Sequence, residues 1–214
     1  FESGTNSATT ETTKFYTGGG DFRVKTRGYT TNDTTCFTGA TTLWANGGQI
    51  DFDSQNTGGA GAIQISRNTP TAVTDIFSSS NTAPAIKFNA VSGSSWAFLS
   101  GFNSAGPNQT FIQASGTGGI TITGTSTTPL ASWPEVGFGA TNLLSSGPIT
   151  INTSSTTSGA GGFQVAKLGT AGTGATQNIF GYCSTATCGT TSQVTTGSPN
   201  ITINANVVTR VAAR

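Results

Sequence analysis

Gly119-Ile120-Thr121-Ile122-Thr123-Gly124 and Gly147-Pro148-Ile149-Thr150-Ile151-Asn152 carry the pattern that decides the fold. In each, two isoleucines stand at i and i+2 with a threonine between them. Side chains of an extended chain alternate between two faces, so both isoleucines point to one side and the threonine to the other. The Gly or Pro just before supplies the turn that feeds the strand.

Outward from these two, the same unit recurs. It appears in Phe22-Arg23-Val24, Gly48-Gln49-Ile50-Asp51-Phe52, Ala62-Ile63-Gln64-Ile65 and Pro84-Ala85-Ile86-Lys87-Phe88. It returns in Gly162-Phe163-Gln164-Val165 and Pro199-Asn200-Ile201-Thr202-Ile203. Connectors such as Gln55-Asn56-Thr57-Gly58-Gly59-Ala60-Gly61 join these strands. No stretch shows a capped amphipathic helical repeat, and Ser94-Ser95-Trp96-Ala97-Phe98-Leu99 reads as a further short strand. The expected fold is therefore all-β. A right-handed β-solenoid, or β-helix, with about 20–30 residues per coil is favoured. Near-identical inward pairs suit rungs in which like sits on like. A β-sandwich of the pilin-like, strand-donating kind is the alternative, because the motifs recur unevenly: 13 residues from Ile50 to Ile63, but 29 from Ile120 to Ile149. At about 4.8 Å per rung, about eight or nine coils would span about 40 Å.

Composition agrees. Only 8 % of the 214 residues are charged, against roughly 25 % in an ordinary domain. Thr, Ser, Asn and 30 glycines take the place of ionic groups, while 34 % hydrophobic residues, including 13 Phe, provide a core. A net charge of +1 gives no bulk pull toward nucleic acid or an anionic membrane. No apolar run is long enough to span a bilayer. The absence of Met makes Phe1 read as a processed or cut terminus. Three segments are expected: a polar N-terminal extension (1–20) suited to contact another subunit, a β-rich body (21–200), and a C-terminal strand (201–214).

Segments such as Gly119-Ile120-Thr121-Ile122-Thr123-Gly124, Gly147-Pro148-Ile149-Thr150-Ile151-Asn152 and Asn200-Ile201-Thr202-Ile203-Asn204-Ala205 resemble the coils of filamentous-haemagglutinin-like bacterial surface adhesins. That resemblance covers most of residues 40–210 in style. It implies a large secreted right-handed β-helix with an adhesive or scaffolding role, and it brings no catalytic residues with it. The uneven coil length departs from that pattern and keeps the sandwich in play.

Candidate chemistry is sparse. The chain has no His, which removes Ser–His and Cys–His nucleophiles and imidazole metal sites. No cofactor, metal site or enzymatic activity is expected. Cys183 and Cys188 flank a loop of small residues where a disulfide forms easily, which points to an extracellular location. Cys36 is left as a buried small hydrophobe or an intermolecular link. Asp51 and Asp53 share a strand face. The bland reading is a solvated face; calcium and glycoside hydrolysis are the sharper ones. Arg23, Lys25 and Arg27 alternate along one strand. They read either as a charge-protected edge or as a contact for an anionic ligand or a neighbouring subunit.

Trp44, Trp96 and Trp133 are expected to be buried, with stacking on a surface glycan as the alternative. Asn32, Asn108, Asn152 and Asn200 head glycosylation triplets that arise readily in so Asn- and Thr-rich a chain. Gly18-Gly19-Gly20 lacks the Lys of a phosphate loop and reads as a flexible joint. Ile201, Ile203, Ala205, Val207 and Val211 line one face of a long C-terminal strand suited to donation to a second copy. The function these readings favour is a self-associating shaft of an extracellular adhesive filament. A carbohydrate-binding module stands second, and a polysaccharide-acting β-helix enzyme third.

Overall fold

In the computed structural model the residues described are 1–3, 12–29, 34–58, 61–65, 73–93, 96–101, 109–127, 134–155, 162–165, 178–183, 191–205 and 208–211. They form nineteen short strands. The first coil holds β1 (Glu2–Ser3), β2 (Thr12–Tyr16) and β3 (Phe22–Gly28). The second holds β4 (Thr35–Phe37), β5 (Ala40–Ala45) and β6 (Ile50–Asn56). The third holds β7 (Ile63–Ile65), β8 (Val73–Ser78) and β9 (Ile86–Ser92). The fourth holds β10 (Phe98–Ser100), β11 (Gln109–Ala114) and β12 (Ile120–Ser126). The fifth holds β13 (Val136–Phe138), β14 (Thr141–Ser145) and β15 (Ile149–Ser155). The sixth holds β16 (Phe163–Val165), β17 (Ile179–Gly181) and β18 (Ile201–Asn204), and β19 (Val208–Val211) begins a seventh.

Each strand pairs with the strand three places on. The first, second and third strands of successive coils thereby build three sheets of seven, six and six strands. Every described pairing between these strands is parallel. The protein is therefore all-β with parallel sheets, the arrangement of a β-solenoid-like fold. Antiparallel hairpins, from which a Greek-key sandwich is built, do not occur among the described strands.

Register explains the recurring motif. In the third sheet Phe22, Ile50, Ile86, Ile120, Ile149 and Ile201 form one inward column. Val24, Phe52, Phe88, Ile122, Ile151 and Ile203 form the next. The residues at 50, 52, 86, 88, 120, 122, 149 and 151 are at most 1 % exposed. The second sheet uses a thinner motif, one large residue between small ones: Thr41-x-Leu43-x-Ala45, Thr74-x-Ile76-x-Ser78, Thr110-x-Ile112-x-Ala114 and Thr141-x-Leu143-x-Ser145. All twelve of these small and large residues are fully buried. A chain of phenylalanines runs along the core, from Phe52 against Phe88 through Phe98 and Phe138 to Phe163.

Several expectations change. Coils are longer than anticipated, from 28 residues (22 to 50) to 52 (149 to 201), so six coils and one strand account for the described chain rather than eight or nine. The uneven motif spacing arose because the motif occupies two different sheets: Ile63 and Phe163 lie in the first, Ile50 and Ile149 in the third. Within the stretch 1–20, the described strands β1 and β2 belong to the first coil and pair with β4 and β5 of the next. The run from Ile201 to Val211 is not one strand. Its two described strands lie in different sheets, β18 continuing the third and β19 the first.

Gly18-Gly19-Gly20 is a tight corner between β2 and β3 rather than a joint. Gly18 and Gly19 have φ of 61° and 120°, a region closed to most side chains. The amide N–H of Gly20 donates to the Thr17 carbonyl at 3.2 Å. The next coil's corner packs directly on it, for a Cβ on Gly48 would lie 2.0 Å from the Gly20 carbonyl oxygen.

Candidate functional site

Two outward faces hold the side chains with chemical potential. On the third sheet, β3 is an edge strand whose alternation puts Arg23, Lys25 and Arg27 in water and Phe22 and Val24 against the core. Parallel register sets Arg23 beside Asp51, and Asp51 beside Lys87 one coil further on. It sets Lys25 beside Asp53, and Asp53 beside Asn89. A basic rung thus lies on an acidic rung, which lies on a mixed one.

The charges largely satisfy each other. Arg27 Nη2 donates to Asp53 Oδ2 at 2.5 Å, and its Nη1 to the Asp53 carbonyl at 2.9 Å. Asn89 Nδ2 donates to Asp53 Oδ1 at 3.0 Å. Arg23 Nη2 donates to Asp21 Oδ2 at 2.7 Å, and Lys87 Nζ stands 3.9 Å from Asp51 Oδ1. Partial burial would raise the Asp53 carboxyl, but the hydrogen bonds from Arg27 and Asn89 outweigh it and hold the group below its ordinary value. Asp21 is likewise lowered, first by the Gln49 amide and then by Arg23. A general acid for glycoside hydrolysis needs its carboxyl raised; Asp53 is shifted the other way. No group of three or more His, Cys, Asp or Glu side chains suited to a metal ion occurs among the described residues. Beside Arg27 a hollow of about 370 Å³, lined also by Gly28, Tyr29, Gln55 and Thr57, opens to solvent.

The second sheet's outward face differs in kind. Register aligns Tyr16, Trp44, Phe77, Gln113 and Leu144 in one column. Lys14, Thr42, Asp75, Phe111 and Asn142 form the column beside it. Tyr16 is 59 % exposed, Trp44 is half-buried, and their rings meet edge to face at 6.0 Å and 87°. Trp44 then packs on Phe77 at 5.5 Å. Trp44 Nε1 donates to Asp75 Oδ2 at 2.8 Å, and Gln113 Nε2 donates to Asp75 Oδ1 at 2.8 Å. Burial raises the Asp75 carboxyl in spite of these two bonds.

Further along, this face is covered by residues 191–194. Gln113 donates to the Thr191 carbonyl at 2.9 Å and accepts from the Gln193 amide at 2.7 Å. Val194 and Cys183 pack with Phe111 and Leu144 in a second small core. The amide of Cys183 donates to the Val194 carbonyl at 3.0 Å. Cys183 is disulfide-bonded; Cys188, the expected partner, lies outside the described residues. Cys36 is buried outside any disulfide.

Of the remaining sequence candidates, Trp96 packs at a corner against Gly61, whereas Trp133, Asn32, Asn108 and Val207 lie outside the described residues. Asn152 points outward and accepts from Asn204 at 2.8 Å. Ile201 and Ile203 are inward by register yet 44 % and 43 % exposed, because β18 is the last strand of its sheet. Ala205 packs on the main core, and Val211 belongs to β19. The buried acid Asp75 with its Trp44 and Gln113 partners was missed at the sequence level. Its only trace is an acidic residue in an otherwise uncharged strand, Val73-Thr74-Asp75-Ile76-Phe77.

No helix among the described residues is long and apolar enough to cross a membrane. The chain matches no protein-family model, no curated protein and no solved structure.

Proposed function

We propose that the protein is a structural unit of an extracellular adhesive filament, a right-handed β-solenoid whose coils continue from one copy into the next. The observation that carries this reading is the exposed inward column at the last rung of the third sheet, Ile201 and Ile203. The rungs between the two edge strands β18 and β3 are covered on both sides by strands of the same kind. Right-handedness follows the strong preference of parallel crossover connections. The disulfide at Cys183 and the low charge support an oxidising, extracellular setting.

The proposed joint carries the register of each sheet on into the next copy. Continuing the third sheet, β18 of one copy pairs in parallel with β3 of the next, so that Ile201 meets Phe22 and Ile203 meets Val24. Continuing the second sheet sets Phe180 of β17 on Phe15 of β2. In the first sheet β19 already holds the next rung, so β1 of the incoming copy gives way to it. Such a head-to-tail contact does not close and yields an open filament. The basic rung of β3 then lies at the joint, beside Thr202 and Asn204, and serves subunit contact rather than anion capture.

Mixing the single variants Lys25→Cys and Asn204→Cys under mild oxidation tests this. Adjacent outward positions on parallel neighbours lie within disulfide reach, so a crosslinked dimer is expected only in the mixture. A chain that sediments as a monomer at every concentration, with no crosslink, removes the filament reading.

A further inference from the structure

We propose that the outward face of the second sheet at Tyr16 and Trp44 is a binding site for a neutral oligosaccharide. This goes beyond the filament reading, in which Tyr16, on the edge strand β2, lies beside the joint, and it is tested on the single chain. Outward positions of the third sheet carry Arg, Asp, Lys, Thr, Asn, Gln, Ser and one Val, and no aromatic ring. Here they carry two rings at right angles, 6.0 Å apart, one of them 59 % exposed. A right-angled aromatic corner offers one ring face to the C–H surface of a pyranose and supports its edge with the other ring.

Trp44 is held for that role. Its indole N–H is fixed by Asp75, Asp75 by Gln113, and Gln113 by Thr191 and Gln193 of the covering segment. Rotating the indole breaks its bond to an Asp75 that is itself held in place by Gln113, so the ring is pre-organised before any ligand arrives.

Size and charge select the occupant. Two rings make far too small an apolar patch for a stable protein interface, which buries about 800 Å² on each partner. The stripe also lacks a forked cationic clamp for carboxylate or sulfate. Lys14 is its one basic group among the described residues, two coils from the buried Asp75. Lys14, the Thr42 hydroxyl and the exposed Gln193 side chain supply donors and acceptors at the margins. Apolar faces edged by hydroxyls are what a neutral sugar chain presents.

Affinity electrophoresis of the 214-residue chain through gels containing neutral polysaccharides (a glucan, a mannan and a xylan) tests the site, with heparin as the anionic comparison. Retardation by at least one neutral polysaccharide is expected. Tyr16→Ser, at an exposed position, should weaken it about tenfold, the equivalent of one stacking contact. Trp44→Ala should weaken it at least as much, and far-UV circular dichroism confirms that each variant is folded. The proposal is overturned if no neutral polysaccharide retards the chain, or if folded Tyr16→Ser is retarded like the parent. Retardation by heparin alone overturns it, as does a Tyr16→Ser effect on sedimentation without one on retardation.

Discussion

Asp75 shows how a single buried group shapes the molecule's response to pH. It is only 6 % exposed, and burial raises its carboxyl above the ordinary 3.8 although Gln113 and Trp44 both donate to it. The folded chain therefore keeps this proton to higher pH than the unfolded chain does. Stability from Asp75 is fully present below 3.8 and is lost as pH rises toward the raised value. Asp53 works in the opposite sense. Its lowered carboxyl contributes stability above the ordinary value and loses it as pH falls through the folded one. Asp75→Asn isolates the first effect: the parent's urea midpoint relative to the variant should decline with rising pH from 3 upward. A gap that stays constant between about pH 3 and 8 would exclude titration of Asp75.

At the scale of the strand, the third sheet is held by columns of like residues. Phe52 stacks on Phe88 with ring centroids 5.4 Å apart and planes at 12°, and it touches Phe37 and Phe1 as well. Phe52→Ala removes contacts to two neighbouring coils at once, with an expected cost of about 3–5 kcal/mol in chemical denaturation. A cost under about 1 kcal/mol would mean that the coils slide to refill the space. The outward ion pairs matter less, because Arg27 and Asp53 keep 43 % and 31 % of their side-chain surface in water and screening trims such pairs. The strands of the third sheet were legible as sequence, since two large residues at i and i+2 announce a buried face. Those of the second were not. Thr41-x-Leu43-x-Ala45 keeps the alternation, but only Leu43 is large, and threonine reads as a residue for water until its neighbours stack over it.

For the whole molecule, the 52-residue step from Ile149 to Ile201 is the distinctive feature. Part of it folds back so that Cys183 and Val194 cover Phe111 and Leu144 on the outward face of the fourth and fifth coils. Reducing the Cys183 disulfide should loosen that cover while the sheets beneath, held by their own ladders, persist. Dye binding to exposed apolar surface is expected to rise with little change in the β signal of circular dichroism. An unchanged dye signal would mean that the Gln113 bonds to Thr191 and Gln193 hold the segment without the disulfide.

Alternation alone determined that the chain is all-β, where the third-sheet strands lie, and which side chains face inward, because a strand's two-residue period is a local property of the backbone. Which strand stacks on which was decided only by tertiary structure. Coils of 28 to 52 residues make sequence separation a poor guide to contact. Trp44 therefore finds Asp75 across 31 positions and Arg27 finds Asp53 across 26. Such pairs exist because parallel register carries them into adjacent rungs, and register is set by the sum of all inward contacts rather than by any one segment.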